Sequence, residues 1–225
     1  NLKTMTHKTH PKALRIRGID DWESKGFYGK RFPLLLEEDF FIRRFLTKKI
    51  IEAGVDSVKI ERFPGKINIL VKSARPGLII GRGGAGAEEI RKELKNKLIA
   101  LKKRRGRGGP VAEIRIEIQE VRNPWASAPL VGQAVARQLI RRIPFRRVLK
   151  QTLDNIMENK EIKGAKIEMA GRLDGAEIAR REWLKKGRLP RQTLRADIDY
   201  AETPAFCTYG AVGIKVWLYK GDKFD

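Results

Sequence analysis

Apolar residues recur along the chain at two spacings, one typical of helices and one typical of strands. The first helical run consists of Ile42, Phe45, Leu46, Ile50 and Ala53. It predicts a helix that begins around Glu37 and ends at Gly54, because glycine often terminates helices. The acidic residues 37–39 then fall in the first turn, where the helix dipole favours negative charge.

Alternating patterns predict a β-hairpin after this helix. Val58 and Ile60 form one alternating run, residues 67–72 form another, and Pro64-Gly65 stands between them as a turn. A glycine-rich stretch then leads to a second helix, whose apolar stripe consists of Ile90, Leu94, Leu98 and Leu101. Strict alternation over residues 112–119 predicts a strand with one buried face.

The second half of the chain has its own pattern, and Asn123-Pro124 is the predicted boundary. Two helices are predicted, at about 126–142 and 144–159, with a break at Pro144. A strand near 165–171 and a basic helical segment around 175–187 follow. Two closing strands bury alternate residues, which are Leu194, Ala196, Ile198 and Tyr200 in the first and Val212, Ile214, Val216 and Leu218 in the second.

Composition narrows the possible classes. The hydrophobic fraction of 41% over 225 residues is enough for a packed core, and no apolar run is long enough to span a membrane. The first residues lack the apolar stretch of a signal peptide, and a single cysteine fits a reducing cytosol. With two histidines and one cysteine, we expect neither a zinc site nor any other metal or cofactor.

Net charge points to a polyanionic partner. The chain has 49 Lys and Arg against 27 Asp and Glu, a formal charge of +22. Nucleic acid is the partner that such a basic domain most often binds. An anionic membrane surface would favour one basic amphipathic element, whereas these cations are spread over at least four segments. A merely solvated surface would mix both signs of charge.

The glycine-rich turn Gly81-Arg82-Gly83-Gly84 has several interpretations. A dinucleotide-binding fingerprint would need a longer preceding strand and a later acid, and a P-loop would need a following Gly-Lys-Ser/Thr. A plain flexible turn is the simplest alternative. The remaining interpretation is the GXXG loop of a KH domain, which clamps single-stranded backbone. The order helix–strand–strand–helix–loop–helix–strand favours the second, prokaryotic type, with a small helix at residues 76–80.

These patterns predict an α+β fold in two modules. Residues 1–35 form a basic N-terminal arm and loop, and residues 36–122 form a type II KH domain of order α-β-β-α-α-β. Residues 123–225 form a second α+β domain, with two helices packed on a small sheet.

The helix after Pro144 is the strongest candidate for phosphate binding. Projection at 100° per residue puts Arg146, Arg147 and Lys150 on one side and an apolar stripe on the other. An ordinary solvated face would carry balancing acids one turn away, and the first two turns have none. The planar guanidinium fork suits phosphate geometry, and the lysine supplies a point charge.

Other cations are weaker candidates for RNA contact. They are Lys8, Lys12, Arg15, Arg75, Lys102, Lys103, Arg104, Arg105, Arg107, Arg141, Arg142, Arg180, Arg181, Lys185, Lys186 and Arg188. Trp183 lies among the last of them, and we expect it to pack in the core rather than to stack on a base.

Three segments carry a family resemblance. Residues 75–84, 171–180 and 193–200 read RPGLIIGRGG, GRLDGAEIAR and TLRADIDY, and residues 5–11 read MTHKTHP. They resemble the family of bacterial small-subunit ribosomal protein number three, over nearly the whole chain. The resemblance implies a ribosome-associated, cytoplasmic protein bound to small-subunit (16S-type) ribosomal RNA and to neighbouring proteins of the subunit head.

The resemblance also implies a role for the basic helix. In the family, such a face lines the channel by which mRNA enters, grips mRNA phosphates and helps to unwind structured messages, and the matching positions are Arg146, Arg147 and Lys150. A regulator of mRNA acting off the ribosome is the alternative. A nuclease or helicase is disfavoured, because the sequence has no Walker motif and no obvious acidic metal cluster. We therefore expect an RNA-binding structural protein and no enzyme.

Overall fold

The computed structural model describes residues 9–15, 22–27, 29, 32–104 and 112–223. Within these ranges the helices are α1 (Pro11–Leu14), α2 (Phe32–Lys49), α3 (Pro76–Ile80), α4 (Ala85–Arg104), α5 (Ala128–Ile140) and α6 (Phe145–Met157). The strands are β1 (Ser24–Gly26), β2 (Val55–Phe63), β3 (Lys66–Ser73), β4 (Glu113–Glu120), β5 (Gly164–Gly171), β6 (Arg180–Gly187), β7 (Ala196–Cys207) and β8 (Gly210–Asp222).

The chain forms two compact units. One covers residues 21–122, and the other joins the first described segment, residues 9–15, to residues 123–225. Both units combine helices with a sheet, which confirms the predicted α+β class. The domain limits predicted from the sequence, 1–35, 36–122 and 123–225, remain a prediction.

The unit of residues 21–122 has the predicted order of elements, from α2 through the β2–β3 hairpin, α3 and α4 to β4. Its sheet has the order β1-β2-β3-β4, in which β2 and β3 are antiparallel and the outer pairings are parallel. The short strand β1 adds an edge that the sequence did not predict. Apolar residues of α2 and α4 close the core over the sheet, among them Ile42, Leu46, Leu94 and Leu98.

Helix α2 differs from its prediction in where it begins and in what its acids do. It begins at Phe32 rather than near Glu37, so the acids lie beyond the first turn. Glu38 and Asp39 are buried, and both are ion-paired with Arg62 of β2, at 2.9 Å and 2.6 Å. These two acids therefore neutralise a largely buried cation and do not serve the helix dipole.

The unit with residues 123–225 is built on an antiparallel sheet of order β6-β5-β8-β7. Helix α5 lies over β7 and β8, and helix α6 lies over β5 and β6. The core between helices and sheet contains Val135, Leu153, Ile167 and Val216. The prediction of two helices packed on a small sheet is confirmed.

Two predictions in this unit were wrong. Residues 180–187 form strand β6 rather than part of a helix, because they pair along their whole length with β5. The sequence pattern did not predict this strand, because its many cations remove the usual alternation of apolar and polar residues at this exposed edge. Leu194 is 46% exposed and precedes β7, so it does not share the buried face of Ala196 and Ile198.

Candidate nucleic-acid interface

Helix α6 displays the predicted phosphate-binding residues on a firmly held scaffold. Its inward stripe is buried and consists of Phe145, Val148, Leu149, Thr152, Leu153 and Ile156. Pro144 fixes the turn into the helix, and the backbone N–H of Phe145 donates to Asp174 Oδ1 at 3.2 Å. This carboxylate satisfies one of the free N–H groups at the helix start, so a residue from a distant loop orients the helix.

The outward face of α6 carries three exposed cations that are close in sequence. Arg146, Arg147 and Lys150 line a shallow depression of about 510 Å³, together with Gln151, Asp154 and Asn155. In the part of the chain that the structure describes, no acid lies within ion-pair distance of these three cations. Asp154, the acid in the depression, is already bonded to Lys186 of β6 at 2.9 Å. The face thus offers three charges to an external anion.

Strand β6 extends this basic surface. Arg180 lies over the ring of Phe145 with 5.4 Å between guanidinium carbon and ring centroid, and Arg146 lies 5.7 Å from the same centroid. Lys186 reaches Asp154 from the same strand. Because alternate residues of a strand share a face, Arg180 and Lys186 point towards α6, and Arg181 and Lys185 towards the other side of the sheet.

The link between α5 and α6 adds two more of the predicted cations. Arg141 caps α5, and Arg142 takes a left-handed backbone conformation with φ of 60°. The Arg142 N–H donates to Leu139 O at 2.9 Å, so the turn satisfies carbonyl groups at the helix end. Both side chains are exposed, next to the start of α6.

The glycine turn has the backbone that the KH interpretation requires. Gly81, Gly83 and Gly84 all have positive φ, and Arg82 is exposed at the tip between α3 and α4. The element before Gly81 is a helix, so the dinucleotide fingerprint, which requires a strand there, does not apply. A Cβ on the nearby Gly86 would lie 2.7 Å from the Ile79 carbonyl oxygen, so close packing of α3 against α4 requires this glycine.

The predicted cations of the N-terminal arm contact their own chain. Lys12 Nζ lies 2.7 Å from Asp199 Oδ1. The guanidinium of Arg15 donates to the backbone carbonyls of Pro190, Thr193 and Arg191, at 3.3, 3.2 and 2.8 Å. Both side chains therefore anchor α1 to the unit of residues 123–225, in addition to any contact they make with RNA.

The other candidates are scattered. Arg75 is exposed at the start of α3, Lys103 and Arg104 are exposed at the end of α4, and Lys102 Nζ lies 3.6 Å from Glu38. Arg188 follows β6 and is exposed. Lys8, Arg105 and Arg107 lie outside the described residues.

Sequence reasoning missed the residues that organise the α6 surface. Asp174 holds the start of α6, and Phe145 packs against two arginines. The Asp-Gly pair at 174–175 indicates a turn, but nothing local in the sequence shows that this turn meets a helix almost thirty residues earlier.

Two further classes of site are absent from the described ranges. No group of three or more His, Cys, Asp or Glu side chains there could hold a metal ion. Among the described helices, none is both long and apolar enough to cross a bilayer.

Comparison with known proteins decides the family. The family model described as "KH domain" matches residues 41–126. The family model described as "Ribosomal protein S3, C-terminal domain" matches residues 135–218. The protein "Small ribosomal subunit protein uS3" from a Synechococcus species is 44% identical over 97% of this chain and 86% of its own length. The chain belongs to the uS3 family of ribosomal proteins.

Other uS3 proteins match equally far along the chain. The one from Maridesulfovibrio salexigens is 42% identical over 98% of both chains. The one from Desulforamulus reducens is 44% identical over 97% of this chain and 93% of its own. Membership of this family confirms the predicted resemblance and the KH domain, and it makes the chain a ribosomal protein rather than an enzyme.

Proposed function

We propose that the chain is a constituent of the small ribosomal subunit that binds ribosomal RNA in the head and lines the channel by which mRNA enters. There, Arg146, Arg147 and Lys150 of α6 hold the phosphates of single-stranded mRNA and help to separate message duplexes. Membership of the uS3 family supports the ribosomal role. The finer role rests on one observation, the three exposed α6 cations that no described acid neutralises.

The geometry of α6 explains how such a surface could act without chemistry. Its apolar stripe is buried and its start is held by Asp174, so the cations project from a rigid support. A fixed row of cations favours a single strand whose phosphates follow it, and a duplex must open before one strand can adopt that path. The translocating ribosome supplies the work, so the protein needs no nucleotide-binding site.

The remaining charge is assigned to ribosomal RNA. The KH loop around Arg82, the exposed end of α4 and strand β6 each present cations on separate parts of the chain. A net charge of +22 would oppose compact folding by self-repulsion, and a polyanion that contacts several of these segments would relieve it. Neighbouring proteins of the head are the other proposed partners.

Translation through a structured message tests the α6 role. Ribosomes reconstituted with Arg146, Arg147 and Lys150 changed to Ala should translate a message with a stable duplex more slowly than wild-type ribosomes. They should translate an unstructured message at the wild-type rate, because only duplex opening needs the grip. The measurement is the ratio of the two elongation rates for each ribosome.

A matched control removes the same charge from elsewhere. In this paired-cation control, Lys49, Lys215 and Lys223 become Ala; each lies within 2.6–3.3 Å of an acid, namely Glu93, Glu202 and Asp197. The control should behave as wild type on both messages. Equal slowing of the α6 variant on both messages would contradict the unwinding role, and failure of the wild-type protein to co-sediment with small subunits would contradict the ribosomal role.

A further inference from the structure

An exposed tryptophan lies on the face of the C-terminal sheet opposite to α6. Trp183 of β6 is 56% exposed, so the expectation that it packs in the core was wrong. Its strand neighbours on this face are Arg181 and Lys185, because alternate residues of a strand share a side. In β5, Ile167 and Met169 face the helices, whereas Lys166 and Glu168 lie under Trp183.

The indole ring is held from below by a buried cation. Lys166 Nζ lies 5.0 Å from the centroid of Trp183 and 4.7 Å from that of Trp217. This ammonium is buried and bonded to Glu168 at 2.7 Å. Cation–π attraction at a desolvated site contributes more than at the surface, so the ring has a fixed support. Trp183 is thus an ordered aromatic surface rather than a loose side chain.

The charge around the ring favours an anionic partner. Arg181 and Lys185 flank Trp183 on the same face and are exposed. Glu168 is the acid closest to the ring in the pairing of β5 with β6, and it already binds Lys166 and Arg181, the latter at 3.2 Å. A ligand that reaches the indole therefore meets a positive rim with its nearest carboxylate already neutralised.

Protection of a sheet edge explains only part of this arrangement. Charged residues on an edge strand prevent pairing with other chains, and β6 is an edge strand. A large exposed aromatic residue works against that protection, because it favours association of the edge with other apolar surfaces. The cations are accounted for by edge protection, but the tryptophan is not.

We propose that Trp183 stacks on an unpaired base of single-stranded RNA, whose flanking phosphates are held by Arg181 and Lys185. Every base has a flat π face, so an aromatic platform between cations binds single strands with little sequence preference. This site is separate from the α6 surface, because the two lie on opposite faces of the sheet.

Binding of a short oligoadenylate by the full chain, followed by fluorescence anisotropy, tests the proposal. Trp183→Ala should weaken binding about tenfold, the typical loss of one stacked base, and Trp183→Phe should retain most of the affinity. The dependence of affinity on salt should not change in Trp183→Ala, because no phosphate contact is lost. Phe206→Ala, which removes a 74% exposed aromatic residue of β7, should bind as wild type.

An oligonucleotide of the same length without bases separates stacking from electrostatics. Trp183→Ala and wild type should bind it equally, because it has nothing to stack. The proposal is overturned if Trp183→Ala binds oligoadenylate as tightly as wild type, or if it loses affinity equally for the abasic strand. Either result would assign the surface to another partner, such as an acidic protein. The loss should persist when the α6 cations are also changed to Ala, so the outcome does not depend on the role proposed for α6.

Discussion

Helix α6 and the segment of residues 9–15 are both basic stretches with few acids, yet the structure uses their cations in opposite ways. Lys12 and Arg15 bind an acid and four carbonyl groups of their own chain. Arg146, Arg147 and Lys150 project from α6 with no described acid beside them. A count of charges therefore does not distinguish a cation that stabilises the fold from one that is available to a ligand. The contacts of each side chain make that distinction.

Arg62 is the sharpest test of the cations that hold the fold. Its side chain, like those of its partners Glu38 and Asp39, is at most 10% exposed. Arg62→Ala would remove the guanidinium that pairs with both buried carboxylates, and we expect it to lower the free energy of unfolding of the unit of residues 21–122 by about 3–5 kcal/mol. Amide hydrogen exchange in α2 and β2 measures this loss.

Arg147→Ala is the matched control for Arg62→Ala. Because its side chain is exposed on α6, we expect it to change the free energy of unfolding by less than about 0.5 kcal/mol. Similar losses of stability in the two variants would contradict the distinction between cations that stabilise the fold and cations that are available to a ligand.

Asp174 tests how helix α6, which carries Arg146, Arg147 and Lys150, is held in place. Asp174→Ala removes the acceptor for the Phe145 N–H and should cost about 1 kcal/mol, the usual loss for a helix cap. Asp174→Asn keeps an acceptor and tolerates the left-handed backbone of this residue, whose φ is 53°, so it should lose less. Urea denaturation monitored by circular dichroism measures both. If the Ala and Asn variants are equally stable, the cap does not contribute to holding α6.

The local pattern predicted much of α6 and little of its surroundings. Apolar spacing identified its buried stripe and therefore which side its cations occupy, since a helix face follows directly from sequence spacing. Strand β6 was missed because its pairing with β5, and not its own pattern, decides its conformation. The KH loop was predicted from its glycines and from the order of the elements around it, and in the structure Gly81, Gly83 and Gly84 take the positive φ that other residues rarely adopt.

Long-range partners could not be predicted at all. The anchoring of Arg15 by carbonyl groups near residue 190, and the capping of α6 by Asp174, join segments distant in sequence. Trp183 illustrates the same point, because its exposure depends on β6 being the outermost strand of its sheet. Composition predicted a polyanionic partner, whereas the choice of cations needed the fold.

The salt dependence of RNA binding tests the central claim most directly, because it counts phosphate contacts. For the full chain and a single-stranded oligonucleotide, the slope of log affinity against log salt should fall by about 2 when Arg146, Arg147 and Lys150 become Ala, since each contact to a single strand contributes about 0.7. The paired-cation control, which loses Lys49, Lys215 and Lys223, should keep the wild-type slope. An unchanged slope in the α6 variant, or an equal fall in the control, would contradict the claim that the α6 cations are the ones left for phosphate.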